Sequence, residues 1–343
     1  MKQLLNTVYV SDPDMYLALK GKNLNLLKQN DSIARIPLHN LEAITTFGYQ
    51  GASPALMNEC MENNIAITFF TNNGRLRGRV IGKTNGNVTL RKRQYRLSDC
   101  ESESTKIAKH MIIGKIFNGE QLLKRTLRDH ALRVDTERIN LVTNHLRVAR
   151  VKAQKCSVLD ELRGIEGNAA SLYYSVFNEC ILQNKNTFIF NSRNRRPPLD
   201  PVNALLSFAY SLLASESAAA LEGVGLDSYV GFLHRDRPGR TSLALDMMEE
   251  LRPAIADRFV LKLINRQQIN TTDFIIKENN AVILTDDARR NFLQLWQKEK
   301  QEKITHPYLK EKISWGLIPH AQSLLLARYL RGDIEAYPPI LIR

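Results

Sequence analysis

The stretch GFLHRDRPGRTSLALDMMEELRP, residues 231–253, carries an arginine-rich loop with one histidine straight into a run of apolar and acidic residues. Thr241 or Ser242 supplies a cap and Pro253 a stop, so the spacing predicts a helix of about three turns. At about 100° per residue, Leu243, Ala244, Met247, Met248 and Leu251 fall on one arc, and Asp246, Glu249 and Glu250 on the opposite one. Taken alone, this is an amphipathic surface helix with a solvated acidic face. The alternative is that the acids gather a ligand, and the surrounding chain decides between the two.

Outward from this helix the same helical period recurs, at 103–130, 135–155, 165–183, 201–217, 242–267, 286–304 and near 315–331. One interruption, DFIIKENNAVIL (273–284), places Asn-Asn between apolar runs and predicts a small hairpin. Before residue 90 the pattern differs. TVYV (7–10), MYLALK (15–20), LNLLKQ (24–29), SIARIP (32–37), AITTFG, IAITFF (65–70) and RLRGRVIG are short strand-like runs, with one short helix beginning near Ser53 and Pro54. The expected fold is α+β. A small β-rich, sandwich-like domain over 1–85 leads through a basic linker over 86–100 into a larger, mainly α-helical domain over 101–343.

Lys and Arg number 48 against 35 Asp and Glu, a formal charge of +13 that favours a polyanionic partner. The excess is clustered: residues 75–96 hold eight basic side chains and no acid, and residues 124–155 hold nine basic and three acidic. Gathered positive charge is what phosphate binding requires, so nucleic acid is the first candidate. Cys60, Cys100, Cys156 and Cys180 are scattered, with no zinc-ligand spacing, and read as inert thiols. The N-terminus lacks a secretory cleavage pattern, and no apolar stretch approaches the roughly 20 residues of a membrane helix, so a cytoplasmic protein is expected.

No P-loop, dinucleotide fingerprint, H-E-x-x-H or G-x-S-x-G is present. What remains is one histidine and a set of acids. His234 lies between Gly231 and the Pro238-Gly239 turn, where a lone imidazole is ordinarily a surface residue; folded back over the helix, it could reach the face bearing Asp246 and Glu249. Two carboxylates and a neutral imidazole make a hard O/N site suited to Mg²⁺ or Mn²⁺. Upstream, Glu166 stands among Gly164, Gly167, Ala169 and Ala170, small residues that admit either a ligand or a packed helix. Arg235, Arg237 and Arg240, with Arg193, Arg195 and Arg196, form two basic loops able to hold phosphates or simply to be solvated. Asp200 and Asn203 read as a helix cap and a loop-fixing amide, with Pro201 at the first helical position.

In order, RGIEGNAASLYY, RRPPLDPVNALLSFAYSLL and GFLHRDRPGRTSLALDMMEELRP, followed by the hairpin and preceded by a β-rich domain, resemble the CRISPR-associated integrase and endonuclease of the spacer-acquisition module, the "Cas-one" family. The resemblance covers essentially the whole chain, and the loop spelling HRDRPGR is similar to versions from type I systems. It implies that Glu166, His234 and Glu249 ligate Mg²⁺ or Mn²⁺, with Asp246 flanking the metal or orienting a ligand, and it implies no zinc. Some relatives carry Asp at the position of Glu249. The implied reaction is strand transfer, in which the 3′-hydroxyl of a short captured double-stranded DNA attacks a phosphodiester of the repeat, with hydrolysis as a variant. The implied assembly is a homodimer formed through the β-rich domain, two of which bridge a small partner, "Cas-two", in a heterohexamer. Residues 75–96 and 124–155 are expected to contact DNA backbone. Two other readings are a stand-alone metal-dependent structure-specific nuclease and a catalytically silent DNA-binding scaffold.

Overall fold

The computed structural model describes residues 6–71, 74, 76–80, 82 and 88–342. Parts of the basic segment at 75–96, including Arg75 and Lys83, lie outside them. The described residues form two compact units, one drawn from 6–82, 284–302 and 314–317 and the other from 88–283, 303–313 and 318–342.

In the first unit, β1 (Asn6–Val10), β2 (Tyr16–Lys20), β3 (Asn23–Lys28), β4 (Asp31–Pro37) and β5 (Leu41–Thr46) precede α1 (Pro54–Glu62), β6 (Ala66–Phe70) and β7 (Leu76–Val80). β2, β3 and β4 form an antiparallel three-stranded sheet. A mixed four-stranded sheet runs β1-β5-β6-β7, parallel except for β6 with β7. The sandwich-like expectation holds, because alternate residues of both sheets and one face of α1 share a core that includes Val10, Leu17, Leu24, Ile44, Leu56 and Ile67. Ser53 caps α1 through Leu56 N at 3.2 Å, with Pro54 at the first helical position.

The second unit begins with α2 (Val88–Ser98), α3 (Glu101–His130), α4 (Thr136–Lys155), α5 (Leu159–Ser175) and α6 (Pro201–Gly223). It continues with α7 (Ser242–Leu251), α8 (Arg258–Asn265) and the hairpin β8 (Phe274–Ile276)–β9 (Val282–Leu284). After α9 (Asp286–Gln301) come a second hairpin, β10 (Lys303–Thr305) with β11 (Lys312–Ser314), and α10 (Ile318–Arg331). The mainly helical reading of this half is correct.

Four local readings change. The segment read as a basic linker contains a helix, α2, whose buried Gln94 bonds Asp227 O at 2.8 Å and Val230 O at 2.9 Å and accepts from Asp227 N. Helix α9 belongs to the strand unit: Phe292 and Trp296 are buried there as a stacked pair, and Arg289 lies over the Phe47 ring at 5.5 Å. Pro253 does not stop the helix. The chain widens into a π-helical stretch, Arg252–Asp257, which absorbs the missing N–H and the ring clash and then resumes as α8. Finally, α6 is by length and composition apolar enough to cross a membrane, contrary to expectation, but 61% of its apolar window is buried within the protein, as befits a core helix. Its start agrees with the sequence: Asp200 caps Asn203 N at 2.8 Å, and Asn203 fixes the preceding loop through Asn194 N and Ser192 O.

Candidate active site

Helix α7 is not a surface helix. Asp246 and Glu250 have no exposed surface and Glu249 retains 3%, so each acid must be matched by donors from elsewhere in the chain. They are matched in three different ways.

Asp246 organises the preceding loop. Its Oδ2 accepts from Phe232 N (2.6 Å) and Leu233 N (2.9 Å), and its Oδ1 from His234 N (3.0 Å) and His234 Nδ1 (2.5 Å). Three successive amides thus close around one carboxylate, and the imidazole is fixed with Nε2 as its second nitrogen, which has no partner among the described residues. Gly231 makes the approach possible, since a Cβ there would lie 2.7 Å from Asp246 Oδ2. From α5, Arg163 grips the loop at Leu233 O with Nε (2.8 Å) and Nη2 (2.6 Å). Thr241 occupies the capping position without a side-chain bond; Ser228 O instead receives Leu243 N (3.0 Å) and Ala244 N (3.3 Å), and the Gln94 contacts hold that loop in place.

Glu249 faces cations. Its Oε1 lies 2.6 Å from Arg252 Nη1 and its Oε2 lies 2.6 Å from Lys115 Nζ, a side chain from α3. The same ammonium also pairs with Glu166 Oε1 on α5, so one cation spans carboxylates from two helices. The Lys115–Glu249 contact has the distance of an ion pair but not the alignment of a hydrogen bond, and Glu249 Oε2 is left without a directed donor. Burial opposes the Glu249 charge, but Arg252, Lys115 and His234 outweigh it and hold its pKa down to about 2. Burial likewise opposes the Lys115 charge, and the Glu249 and Glu166 carboxylates outweigh it, raising the lysine pKa.

Glu250 turns the other way. It accepts from Gln322 Nε2 (2.9 Å), Ile340 N (2.8 Å) and the Tyr337 hydroxyl, while Asn118 Nδ2 ties Glu250 O (2.8 Å) and Ile340 O (2.8 Å) together. The tail after α10 is therefore an ordered part of the core behind α7. Burial pushes the Glu250 carboxyl up to about 7 against its hydrogen bonds.

Beneath the site, Tyr210 and Tyr173 donate to Asp257 (2.5 and 3.0 Å), whose pKa burial raises to about 6 against those bonds. The guanidinium groups of Arg252 and Arg193 both lie over the Tyr210 ring, at 5.0 and 5.3 Å.

The structure therefore brings Glu166 and Glu249 onto one ammonium and His234 onto Asp246. Among the described residues, no three His, Cys, Asp or Glu side chains are gathered tightly enough to hold a metal as they stand. A Cβ at Gly164 or Gly167 would meet nothing within 4 Å, so the glycines beside Glu166 border open space and not a packed helix. Of the six arginines, Arg193 turns inward to Asn203 Oδ1 (2.6 Å) and Ser207 Oγ (3.1 Å), and Arg235 pairs with Asp160 (3.1 Å) on the surface. Burial and the like charge of Arg237 lower the Arg240 pKa; Asp246 opposes this, and Arg195 and Arg196 of the other loop add to it. Sequence reading missed Lys115 and Arg252. The first is a lone lysine inside the apolar run MIIGKIF, and the second stands three residues after Glu249; both signals were available.

Residues 8–298 match the family model described as CRISPR associated protein Cas1. The chain is 45% identical over 343 residues to the CRISPR-associated endonuclease Cas1 1 of Chlorobaculum tepidum, covering 100% of both chains. It is 46% identical over 347 residues to the CRISPR-associated endonuclease Cas1 2 of Rhodospirillum rubrum, covering 99% of each. The solved CAS1 protein of Thermotoga maritima shares the fold with a TM-score of 0.81 at 26% identity, over 95% of this chain and 97% of that one. The chain belongs to the CRISPR-associated Cas1 family.

Proposed function

We propose that this protein is a metal-dependent DNA endonuclease and integrase of CRISPR adaptation, joining the 3′-hydroxyls of a short captured double-stranded DNA to phosphodiesters of the repeat. The observation that carries the reading is the convergence of Glu166 and Glu249, from separate helices, on a single cation, with His234 held by Asp246 on the loop that leads into α7. The donor set fits a hard divalent ion: two carboxylates, one with an oxygen lacking any directed donor, and an imidazole whose Nε2 has no partner among the described residues. Glu166, His234 and Glu249 would hold Mg²⁺ or Mn²⁺, which when bound supplies Lewis-acid stabilisation of the charge that develops on the scissile phosphate.

The remaining roles belong to the protein. Asp246 fixes the His234 tautomer, so that Nδ1 is the bonded nitrogen and Nε2 the presented one. Arg252 pins Glu249 Oε1 and is itself pinned over Tyr210, which fixes the carboxylate's rotamer. Arg195, Arg196, Arg237 and Arg240 form an anion-attracting group beside the loop that carries His234, suited to DNA phosphates of arbitrary sequence. The family implies a homodimer, a small Cas2-type partner and a cytoplasmic setting, and the basic excess of the chain suits the DNA they share.

The test compares wild type with Glu166→Ala, His234→Ala and Glu249→Ala, each with Mn²⁺, the Cas2 partner and a repeat-bearing plasmid. Joining is expected to disappear in all three while DNA binding persists. Joining that survives these substitutions refutes the catalytic assignment. Cleavage of branched DNA without the partner, and no joining with it, would instead select the stand-alone nuclease.

A further inference from the structure

We propose that Lys115 is the resident counter-ion of this site: its ammonium holds Glu166 and Glu249 together in the metal-free protein and gives way when a divalent cation binds, so that lysine and metal compete for the same two carboxylates. The inference rests on the metal site proposed above and concerns what occupies it beforehand.

Three features single out Lys115 from the other cation of the site. Lys115 addresses one oxygen on each of two helices, Glu166 Oε1 on α5 and Glu249 Oε2 on α7, the two carboxylates proposed to hold the metal. Arg252 pairs with the other oxygen, Glu249 Oε1, and lies over Tyr210, so Oε2 can change partner while that pair persists. Second, the Lys115–Glu249 contact is close without being aligned, so its attraction is that of a point charge, which another charge can replace. Third, lysine is a compact charge on a flexible stem. It can withdraw without breaking a fork of planar bonds, as an arginine would have to.

The physical need is plain. Two carboxylates drawn together in a mostly buried cleft repel each other unless a positive charge lies between them. Lys115, itself 14% exposed, supplies that charge and holds the two acids apposed. A doubly charged ion held by the same two carboxylates would repel the Lys115 ammonium and cost it both ion pairs. Metal binding therefore has to offset the loss of the lysine contacts.

The test is calorimetric titration of Mn²⁺ into the full-length protein, with thermal unfolding in parallel, for wild type, Lys115→Met, Lys115→Gln and Lys115→Arg. Removing the competing charge is expected to lower the Mn²⁺ Kd about tenfold or more in Lys115→Met and Lys115→Gln. Both variants should melt below wild type without metal and gain more from Mn²⁺ than wild type does. Lys115→Arg, which keeps the charge, should bind no more tightly than wild type. If wild type binds Mn²⁺ and the folded neutral variants bind it equally or more weakly, competition is refuted while the metal site stands. If folded wild type takes up no Mn²⁺, the metal site is refuted and this proposal falls with it.

Discussion

Replacing Asp246 with Asn removes one charge while nearly preserving shape, and the four donors around the carboxylate allow the cost to be worked out. An amide offers a single acceptor oxygen. If that oxygen stays with Phe232 N and Leu233 N, its NH₂ group is left facing His234 N and His234 Nδ1. The two retained bonds fall from charge-assisted to neutral strength, a loss of about 1 kcal/mol each. The His234 amide, now opposed to a donor, adds an unsatisfied-group cost of about 1–3 kcal/mol. With Asp246 wholly buried, solvent does not relieve either loss, and the expected destabilisation is about 3–5 kcal/mol. The imidazole has one escape: Nδ1 can accept from the new NH₂, which moves the ring proton to Nε2 and withdraws the lone pair proposed to face the metal. Urea unfolding followed by far-UV circular dichroism reads the first effect, and nitrogen NMR of the imidazole reads the second. A loss below about 1 kcal/mol together with an unchanged tautomer would refute the role given to Asp246.

Three further outcomes follow from the same geometry. Gly231→Ala places a Cβ 2.7 Å from Asp246 Oδ2 and should destabilise by about 1–3 kcal/mol, seen as a lowered urea midpoint. Burial raises the Glu250 pKa from 4.5 to about 7, so the folded state binds a proton that the unfolded state has released. The stability tied to that proton is fully present below pH 4.5 and lost as pH rises to about 7. Glu250→Gln should therefore gain on wild type by up to about 3 kcal/mol between pH 5 and 8, and a difference that is flat across that range would contradict burial as the cause. Converting Arg195, Arg196, Arg237 and Arg240 to Ala should weaken DNA binding evenly across sequences and flatten the dependence of log affinity on log salt by about 1 per phosphate contact removed; an unchanged slope would place the DNA elsewhere.

The sequence by itself determined the elements whose cause is local. Strand runs such as LNLLKQ and SIARIP are short, rich in apolar residues and bounded by turn residues, and helix starts such as Ser53-Pro54 and Asp200-Pro201 carry their own caps. The acids and histidine of 231–253 were identifiable as chemistry, and the family motif supplied Glu166 across a long separation. Only the tertiary structure decided that the acidic face of α7 is buried. That outcome depends on Lys115, Tyr337 and the loop amides of residues 232–234, none of which announces its partner in the local pattern. The same holds for Pro253, where packing on both sides sustains a π-helical turn in place of a stop, and for α9, whose aromatic face joins the strand unit. Periodicity records which residues share a face of one helix. Whether that face meets water or counter-charges is settled only when other segments pack against it, because the charges that neutralise one another here are far apart along the chain.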